Sequence, residues 1–335
     1  MIADAHVDLL LELSYRQHTL GEERVFERTW AVELATGGVG LQVCPIWVDI
    51  ALQPEATLRE SLRQVVAFQS AIRESPAQTI QVCTRGDLEL VRRGERLGLM
   101  LALEGVEQFG VELWPADLFF ELGVRVASLT WNRRNAFADG AAEEDGGGLS
   151  RLGRSLVDRL VSLGVVLDVA HASRATFVEV LERAAGAPVM CTHGGCRAVN
   201  DTPRNLDDDQ LRALAAAGGL FGLMLHPLAI DPVTRTVDRV VDHLEHAAET
   251  IGIDRLCLGG DFTSRLWKVM PPPPEPADGL MPAGLAPGVG VEGLTSSRDY
   301  PNLLAALARR GWSAADIEAV SSANLIRFLS TALPK

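Results

Sequence analysis

The chain has 335 residues, 47% of them hydrophobic, with 31 Lys and Arg against 44 Asp and Glu and a formal charge of −13. That acidic balance repels phosphate backbones and disfavours nucleic acid as a partner, leaving small molecules or cationic partners as more natural ligands. The length allows two domains or one large α/β barrel, and no stretch reaches the ~20 apolar residues of a membrane-spanning helix.

Short apolar runs alternate with longer amphipathic ones, the pattern of βα units around a parallel sheet. The first run, Ile2–Asp8, carries His6 and Asp8 two positions apart. In an extended strand both project to one face while Ala5 and Val7 turn into packing. Further strands are predicted at Gly40–Trp47, Leu97–Glu104, Val124–Trp131, Val165–His171, Pro188–His193, Leu220–His226 and Arg255–Asp261. Helical periodicity predicts Leu58–Glu74, Ser150–Leu163, Ala175–Ala184, Asp207–Ala217, Val237–Ile251, Asn302–Arg310 and Ala314–Ala332. Eight strands, each followed by a crossover, predict a single (β/α)8 TIM-type barrel over residues 1–335.

The five cysteines, Cys44, Cys83, Cys191, Cys196 and Cys257, are odd in number and form no C-x-x-C pair, as expected of buried thiols in a reducing cytoplasm. No basic segment and apolar run of a secretory signal precede the first strand, so a soluble cytoplasmic chain is expected.

In such a barrel the loops at the C-terminal strand ends converge over the packed interior, and chemistry gathers there. The predicted ends carry His6 and Asp8, Glu104, His171, His193 and Asp261. Singly, each has an ordinary explanation: Glu104 a charged residue at a strand exit, the histidines core residues bonded to carbonyls, Asp261 a helix cap. Jointly, these ionisable groups would end buried strands at one mouth, each needing a partner to offset desolvation, and metal ions supply that partner. Three imidazoles with three carboxylates exceed the needs of one tetrahedral zinc. Two metals are therefore expected, with Glu104 suited to bridge them and a water between them activated as nucleophile. Nitrogen and oxygen ligands without thiolate fit Zn first, then Mn, Fe or Co.

These residues lie in motifs that resemble the membrane (renal) dipeptidase family, peptidase family M19, a branch of the metal-dependent amidohydrolase superfamily. The resemblance rests on Asp4-Ala5-His6-Val7-Asp8, Glu104-Gly105-Val106-Glu107, Leu129-Thr130-Trp131-Asn132 with Asn135 and Ala138-Asp139-Gly140, and Asp168-Val169-Ala170-His171. It continues through Thr192-His193-Gly194-Gly195, Pro203-Arg204-Asn205-Leu206, Gly259-Gly260-Asp261-Phe262 and Tyr300-Pro301-Asn302-Leu303. It implies a barrel with two zinc ions, one held by His6, Asp8 and Glu104, the other by Glu104, His171 and His193. It further implies that Asp261 shuttles the proton and that Arg204 pairs with the substrate's terminal carboxylate.

Three departures stand out. Trp131 occupies the place of a histidine that polarises the scissile carbonyl in renal-type members, and indole offers only an N–H donor. Phe262-Thr263-Ser264 replaces Phe-Asp-Gly, and Ser322-Ala323-Asn324 replaces Gly-Gly-Asn.

The implied reaction is hydrolysis of a dipeptide, a D residue at its C-terminal position included, or of an N-acyl amino acid. Two alternatives stay open: hydrolysis of another bond such as a lactone, phosphoester or cyclic amide, and a catalytically silent binding protein. Trp131, Asn132 and His226, which ends a strand, are candidate substrate contacts. The Pro/Gly-rich stretch at 265–292 and the loop Asn135–Leu149 are expected to border the pocket. His243 and His246 are expected on a solvated or partner-facing helix surface. Family members often pair, so a homodimer is possible.

Overall fold

In the computed structural model, which describes residues 1–184, 186–271, 280–282 and 285–335, nine strands all run parallel. They are β1 (Ile2–Asp4), β2 (Val39–Ile46), β3 (Thr79–Gln81), β4 (Leu97–Leu103), β5 (Val124–Ser128), β6 (Val166–Asp168), β7 (Val189–Gly194), β8 (Leu220–Met224) and β9 (Leu256–Gly259). The pairings β2–β1–β9–β8–β7–β6–β5–β4 are joined end to end by β2 against β4, which closes an eight-strand (β/α)8 barrel. The ninth strand, β3, was not expected. It pairs with β4 only at Leu97–Leu99, whereas β5 takes the same strand from Leu101 onward, so β3 fills the lower part of one seam.

Helices pack around this ring: α1 (Leu9–His18), α2 (Val25–Arg28), α3 (Trp30–Gly37), α4 (Thr57–Glu74), α5 (Arg85–Arg92), α6 (Trp114–Glu121) and α7 (Arg151–Leu163). They continue as α8 (Arg174–Ala184), α9 (Asp208–Ala216), α10 (Pro227–Ile230), α11 (Val237–Ile251), α12 (Tyr300–Arg309), α13 (Ala314–Glu318) and α14 (Asn324–Ala332). The helix expected over Ala314–Ala332 is interrupted by a π turn at Ala319–Ala323. There the Ser321 and Ser322 hydroxyls reach back to the Glu318 carbonyl. Asn324 then donates to the Ile253 and Leu256 carbonyls at the start of β9, so the Ser322-Ala323-Asn324 segment serves the end of the barrel away from the strand exits.

Alternation along each strand sorts the side chains. One face, with Leu41, Val43, Met100, Ala102, Val126, Val166, Met190, Leu220 and Cys257, packs into the barrel with Leu325, Ile326 and Leu329 of α14 below. The other face meets the helices. Towards the strand exits the inward positions become small, with Ser128, Gly222 and Gly259 following Val126, Leu220 and Cys257 at period two.

That change of size has a consequence in β7. The pairing of β7 with β8 runs from Cys191 opposite Phe221 to Gly194 opposite Leu223, one extra residue on β7, so the chain bulges at Thr192–His193. A Cβ at Gly222 or Gly259 would come within 2.1 Å of the Thr192 carbonyl oxygen. Only glycine on each of the next two strands, β8 and β9, lets the bulge press inward and carry His193 with it.

Residues 272–279 and 283–284 of the expected Pro/Gly-rich loop lie outside the described residues. The flanking part has a short turn at Leu266–Lys268. Among the described residues, no helix is long and apolar enough to cross a membrane.

Candidate metal centre

β1 ends at Asp4, four residues short of the expected Asp8, yet the chain stays clamped between its neighbours. Ala5 N–H donates to the Leu258 carbonyl, Val7 N–H to the Val43 carbonyl, and the His6 carbonyl accepts from Asp261 N–H at 2.8 Å. His6 is therefore fixed by β9 on one side while Asp8 sits at the start of α1. Asp8 occupies the N-cap position but makes no side-chain cap bond. Its carboxylate turns instead toward His6, with Oδ1 3.8 Å from Nε2.

Glu104 follows β4 with its N–H still bonded to the Ile46 carbonyl. Its Oε2 lies 3.5 Å from His6 Nε2, and its Oε1 lies 2.8 Å from His171 Nε2 and 3.4 Å from His193 Nε2. The two latter ring nitrogens are 2.8 Å apart, and the His6 and His193 rings stack with centroids 3.6 Å apart. Asp261 completes the group: its ligand atom and those of His6 and Asp8 all lie within 4.8 Å of one another. His6, Asp8, Glu104, His171, His193 and Asp261, from strand ends up to 255 positions apart in sequence, thus meet at one place.

The other ring nitrogens show which protons are where. His171 Nδ1 donates to Asn132 Oδ1 at 2.5 Å. His193 Nδ1 lies 2.8 Å from Thr192 Oγ1, whose own hydrogen goes to Asp168 Oδ2, so the imidazole is again the donor. Neutral His171 and His193 each then carry a bare lone pair on Nε2, and both lone pairs converge with the Glu104 carboxylate. Three acceptors with no hydrogen among them repel unless a cation sits between them. His6 Nε2 and Asp8 Oδ1 are likewise buried without a hydrogen-bond partner. This donor set fits divalent metal, and two groups share His6: His6, Glu104 and His193, beside which His171 Nε2 lies 2.8 Å from Glu104, and His6, Asp8 and Asp261.

Electrostatics point the same way. Burial pulls the His6 imidazole down, but Glu104, Asp8 and Asp261 outweigh it and raise its pKa to about 10. The anionic cluster thus takes up a proton where it has no other cation. Burial, joined by the neighbouring Arg204 charge, lowers His171 to about 3, and burial takes His193 well below its ordinary value. Burial raises Asp8, reinforced by Glu104, whereas three imidazoles hold Glu104 well below the usual carboxylate range despite its burial.

Two carboxylates beneath the ligands repeat one design. Asp4 Oδ1 accepts from His6 N–H and Gly260 N–H, and its Oδ2 accepts from the Tyr300 hydroxyl at 2.6 Å. Asp168 Oδ1 accepts from Ala170 N–H and Thr192 N–H, and its Oδ2 from the Thr192 hydroxyl. Each ties its own strand's exit to that of a neighbouring strand. The residues that follow leave the strand sharply: His171 at φ 62° and Asp261 at φ 47° hold the left-handed conformation that non-glycine residues seldom adopt.

Arg204 comes from the turn after β7, where Leu206 bridges back to Cys196. It is 2% exposed, and Nη2 donates to the His193 carbonyl at 2.7 Å. Its Nε and Nη1 are buried without partners among the described residues. His226 caps α10, its Nδ1 accepting from Leu228 N–H, which leaves the hydrogen on Nε2. Burial lowers its pKa, with Asp261 and Arg204 acting on it in opposite senses. Asn132 touches the site through His171. Trp131 is partly exposed, edge-on to Trp47 at 5.2 Å and 6.0 Å from the His171 ring.

Asp4, Asp168, Thr192, Tyr300 and Glu107 had no assigned role from sequence, although each stands in a motif noted there. Glu107, driven by desolvation, reaches a pKa of about 7 against hydrogen bonds from Asn135 and the Trp131 backbone. His243 differs from expectation. It is fully buried on α11, its Nδ1 accepting from Cys196 N–H and its Nε2 donating to the Ile230 carbonyl. It braces the turn that carries Arg204 against α10, which carries His226. His246, half-buried, pairs with Asp208 at 2.8 Å. The loop Asn135–Leu149 is pinned by Asn135, which accepts from Phe137 N–H, and by Asp139, which accepts from Gly147 N–H.

A family model described as membrane dipeptidase (peptidase family M19) matches residues 1–269. A dipeptidase of Clonostachys rogersoniana is 28% identical over 277 residues, 82% of this chain and 66% of that protein. A dipeptidase of Claviceps purpurea is 31% identical over 280 residues, 82% of this chain and 60% of that protein, so the chain spans less than two thirds of either relative. A metallopeptidase of Rhodobacter sphaeroides, solved with a phosphinate mimic of the dipeptide L-Ala-D-Ala, shares the fold. Its TM-score is 0.82 at 20% identity, and the match covers 99% of both chains. With four fifths of its length matched by the family model, the chain belongs to the membrane dipeptidase family, peptidase family M19.

Proposed function

We propose that the protein hydrolyses dipeptides with a free C-terminal carboxylate, using two zinc ions per chain. The observation that carries this reading is the convergence of two bare imidazole nitrogens and a carboxylate, which only a cation reconciles. Bound there, a pair of zinc ions supplies Lewis acidity and a water made acidic enough to attack near neutral pH. Glu104, with one oxygen toward His6 and the other toward His171 and His193, would hold metal together with those imidazoles and Asp8.

The other side chains orient the substrate and manage its protons. Arg204, buried with two nitrogens unpartnered, takes the terminal carboxylate, because an enclosed guanidinium needs an anion to offset its desolvation. Asp261, beside His6 and Asp8, accepts the proton of the attacking water and returns it to the leaving amine. His226, which feels the charges of both Asp261 and Arg204, offers Nε2–H as a donor to the scissile carbonyl. Trp131, with Trp47, offers an apolar wall where renal-type relatives carry histidine, so side-chain preference differs from theirs. A D residue at the C-terminal position is within the proposed range, in line with the ligand of the Rhodobacter relative. The five unpaired cysteines support a reducing cytoplasm as its location.

The test is a dipeptide library offered to the zinc-loaded protein as free acids and as C-terminal amides, with released amino acid measured. Free acids should turn over and chelator should abolish it. Arg204→Met should raise KM for free acids 10- to 100-fold, as expected for loss of a charge-assisted hydrogen bond of about 1.5–3 kcal/mol. No turnover of any dipeptide by metal-bearing protein overturns the reading. An equal loss on acids and amides would favour hydrolysis of a different amide or ester.

A further inference from the structure

Outside the ligand cluster, a set of buried charges joins α1, α3 and the segment after β9. Glu12, one turn into α1, has a fully buried side chain whose Oε1 accepts from Arg16 Nε and whose Oε2 accepts from Arg265 Nε, both at 2.7 Å. Arg265 also donates through Nη1 to Glu33 Oε2 on α3 at 3.1 Å, and its guanidinium lies over the Trp30 ring, 5.3 Å from the centroid. Two nearly inaccessible carboxylates are thus committed to one arginine. Replacing such a buried pair with apolar groups of similar volume is often neutral or stabilising, so stability alone gives little reason for the charges.

What the arginine connects gives the reason. α1 starts directly after Asp8, whose side chain is not spent on capping, so the position of the helix is the position of that carboxylate. Asp261 precedes Arg265 by four residues in a left-handed conformation and is fastened to His6 through its backbone N–H. The Glu12–Arg265 pair therefore closes a ring: His6 to Asp8, along α1 to Glu12, across to Arg265, back to Asp261 and again to His6. We propose that Arg265 is a positioning residue that sets the spacing of Asp8 and Asp261 around His6. One of the two metal subsites then depends on a contact that no ligand makes, while the subsite of Glu104, His171 and His193 does not. This inference rests on the two-metal reading above.

Calorimetric titration of the metal-free full-length protein with Zn²⁺ tests it, alongside thermal melting. Wild type should take up two equivalents. Arg265→Met should keep one at unchanged affinity and bind the other several-fold more weakly, less than the 10- to 100-fold that losing a direct partner of a metal ligand costs, because Arg265 acts through Glu12 and α1. Glu33→Met combined with Arg265→Met removes the carboxylate left without its arginine, since Glu12 keeps Arg16, and should recover melting temperature without recovering the weakened equivalent. Two full-affinity equivalents in folded Arg265→Met, or in the double variant, overturn the proposal and leave the two-metal reading standing. If Arg265→Met does not fold, Glu12→Gln serves: a several-fold loss in one equivalent supports the tether and no loss overturns it. Wild type that binds no metal overturns the underlying reading instead.

Discussion

His171 and His193 show how an outer contact decides a ligand's chemistry. Asn132 and Thr192 fix the hydrogen on Nδ1, so Nε2 is bare where it faces Glu104, and neither partner was identifiable by residue type alone. His243 is the opposite case, an imidazole whose two nitrogens are both spent on backbone. Burial lowers its pKa from 6.5 to about 4, so the folded protein keeps it neutral while the unfolded chain protonates it. Its contribution to stability is full above pH 6.5 and is lost as pH falls toward 4, by about 1.4 kcal/mol per pH unit. Urea unfolding at pH 7.5 and pH 5 should show wild type losing about 2 kcal/mol more than His243→Gln, in which nothing titrates at that position. Equal losses would contradict this. Residue types that bind metal at the ends of apolar runs made His6, Asp8, Glu104, His171, His193 and Asp261 legible in the sequence. Asp4 and Asp168 were not legible, because a carboxylate that braces two strands differs from a solvated one only in what lies across the sheet. The helix pattern placed His243 on a surface because i, i+3 spacing does not say which side of α11 is covered.

Elements place these residues through irregularities that periodicity does not encode. The inward bulge of β7 at Thr192–His193 depends on Gly222 and Gly259, one on each of the next two strands, and only their pairing makes the three meaningful together. β1 reads from sequence as a strand to Asp8, yet the chain bends after Asp4 and Asp8 opens a helix instead. A candidate ligand pair inferred from two-residue alternation is thus assembled by a turn. Three-residue β3 carries too little apolar pattern to be recognised, and α1, α2, α3, α5, α6 and α10, all but α1 of eight residues or fewer, went unpredicted. The hydroxyl of Tyr300, at the start of α12, is one of three donors to the fully buried Asp4. Tyr300→Phe leaves that oxygen with nothing in exchange and should cost about 1–3 kcal/mol in urea unfolding. A loss below a few tenths would mean that α12 does not brace the first strand through this bond.

At the scale of the molecule, barrel closure is what makes the centre possible. β9 pairs with β1, so Asp261 reaches His6, and β4 pairs with β2, so Glu104 reaches the same mouth. The alternation of apolar and amphipathic runs was enough to predict eight strands and their closure, because a right-handed βα succession leaves few other arrangements. Which loops line the pocket was less accessible, since loop contacts follow from local turns such as the one at Asn135–Asp139. The net charge of −13 belongs to this scale as well, and it favours accumulation of cations near the molecule over polyanions. The most direct test of the centre counts metal in protein stripped by chelator, dialysed against excess Zn²⁺ and freed of unbound ion. Two equivalents per chain, with both weakened in Glu104→Ala, is the predicted result. No bound zinc, or two equivalents held as tightly without the Glu104 carboxylate as with it, would contradict it.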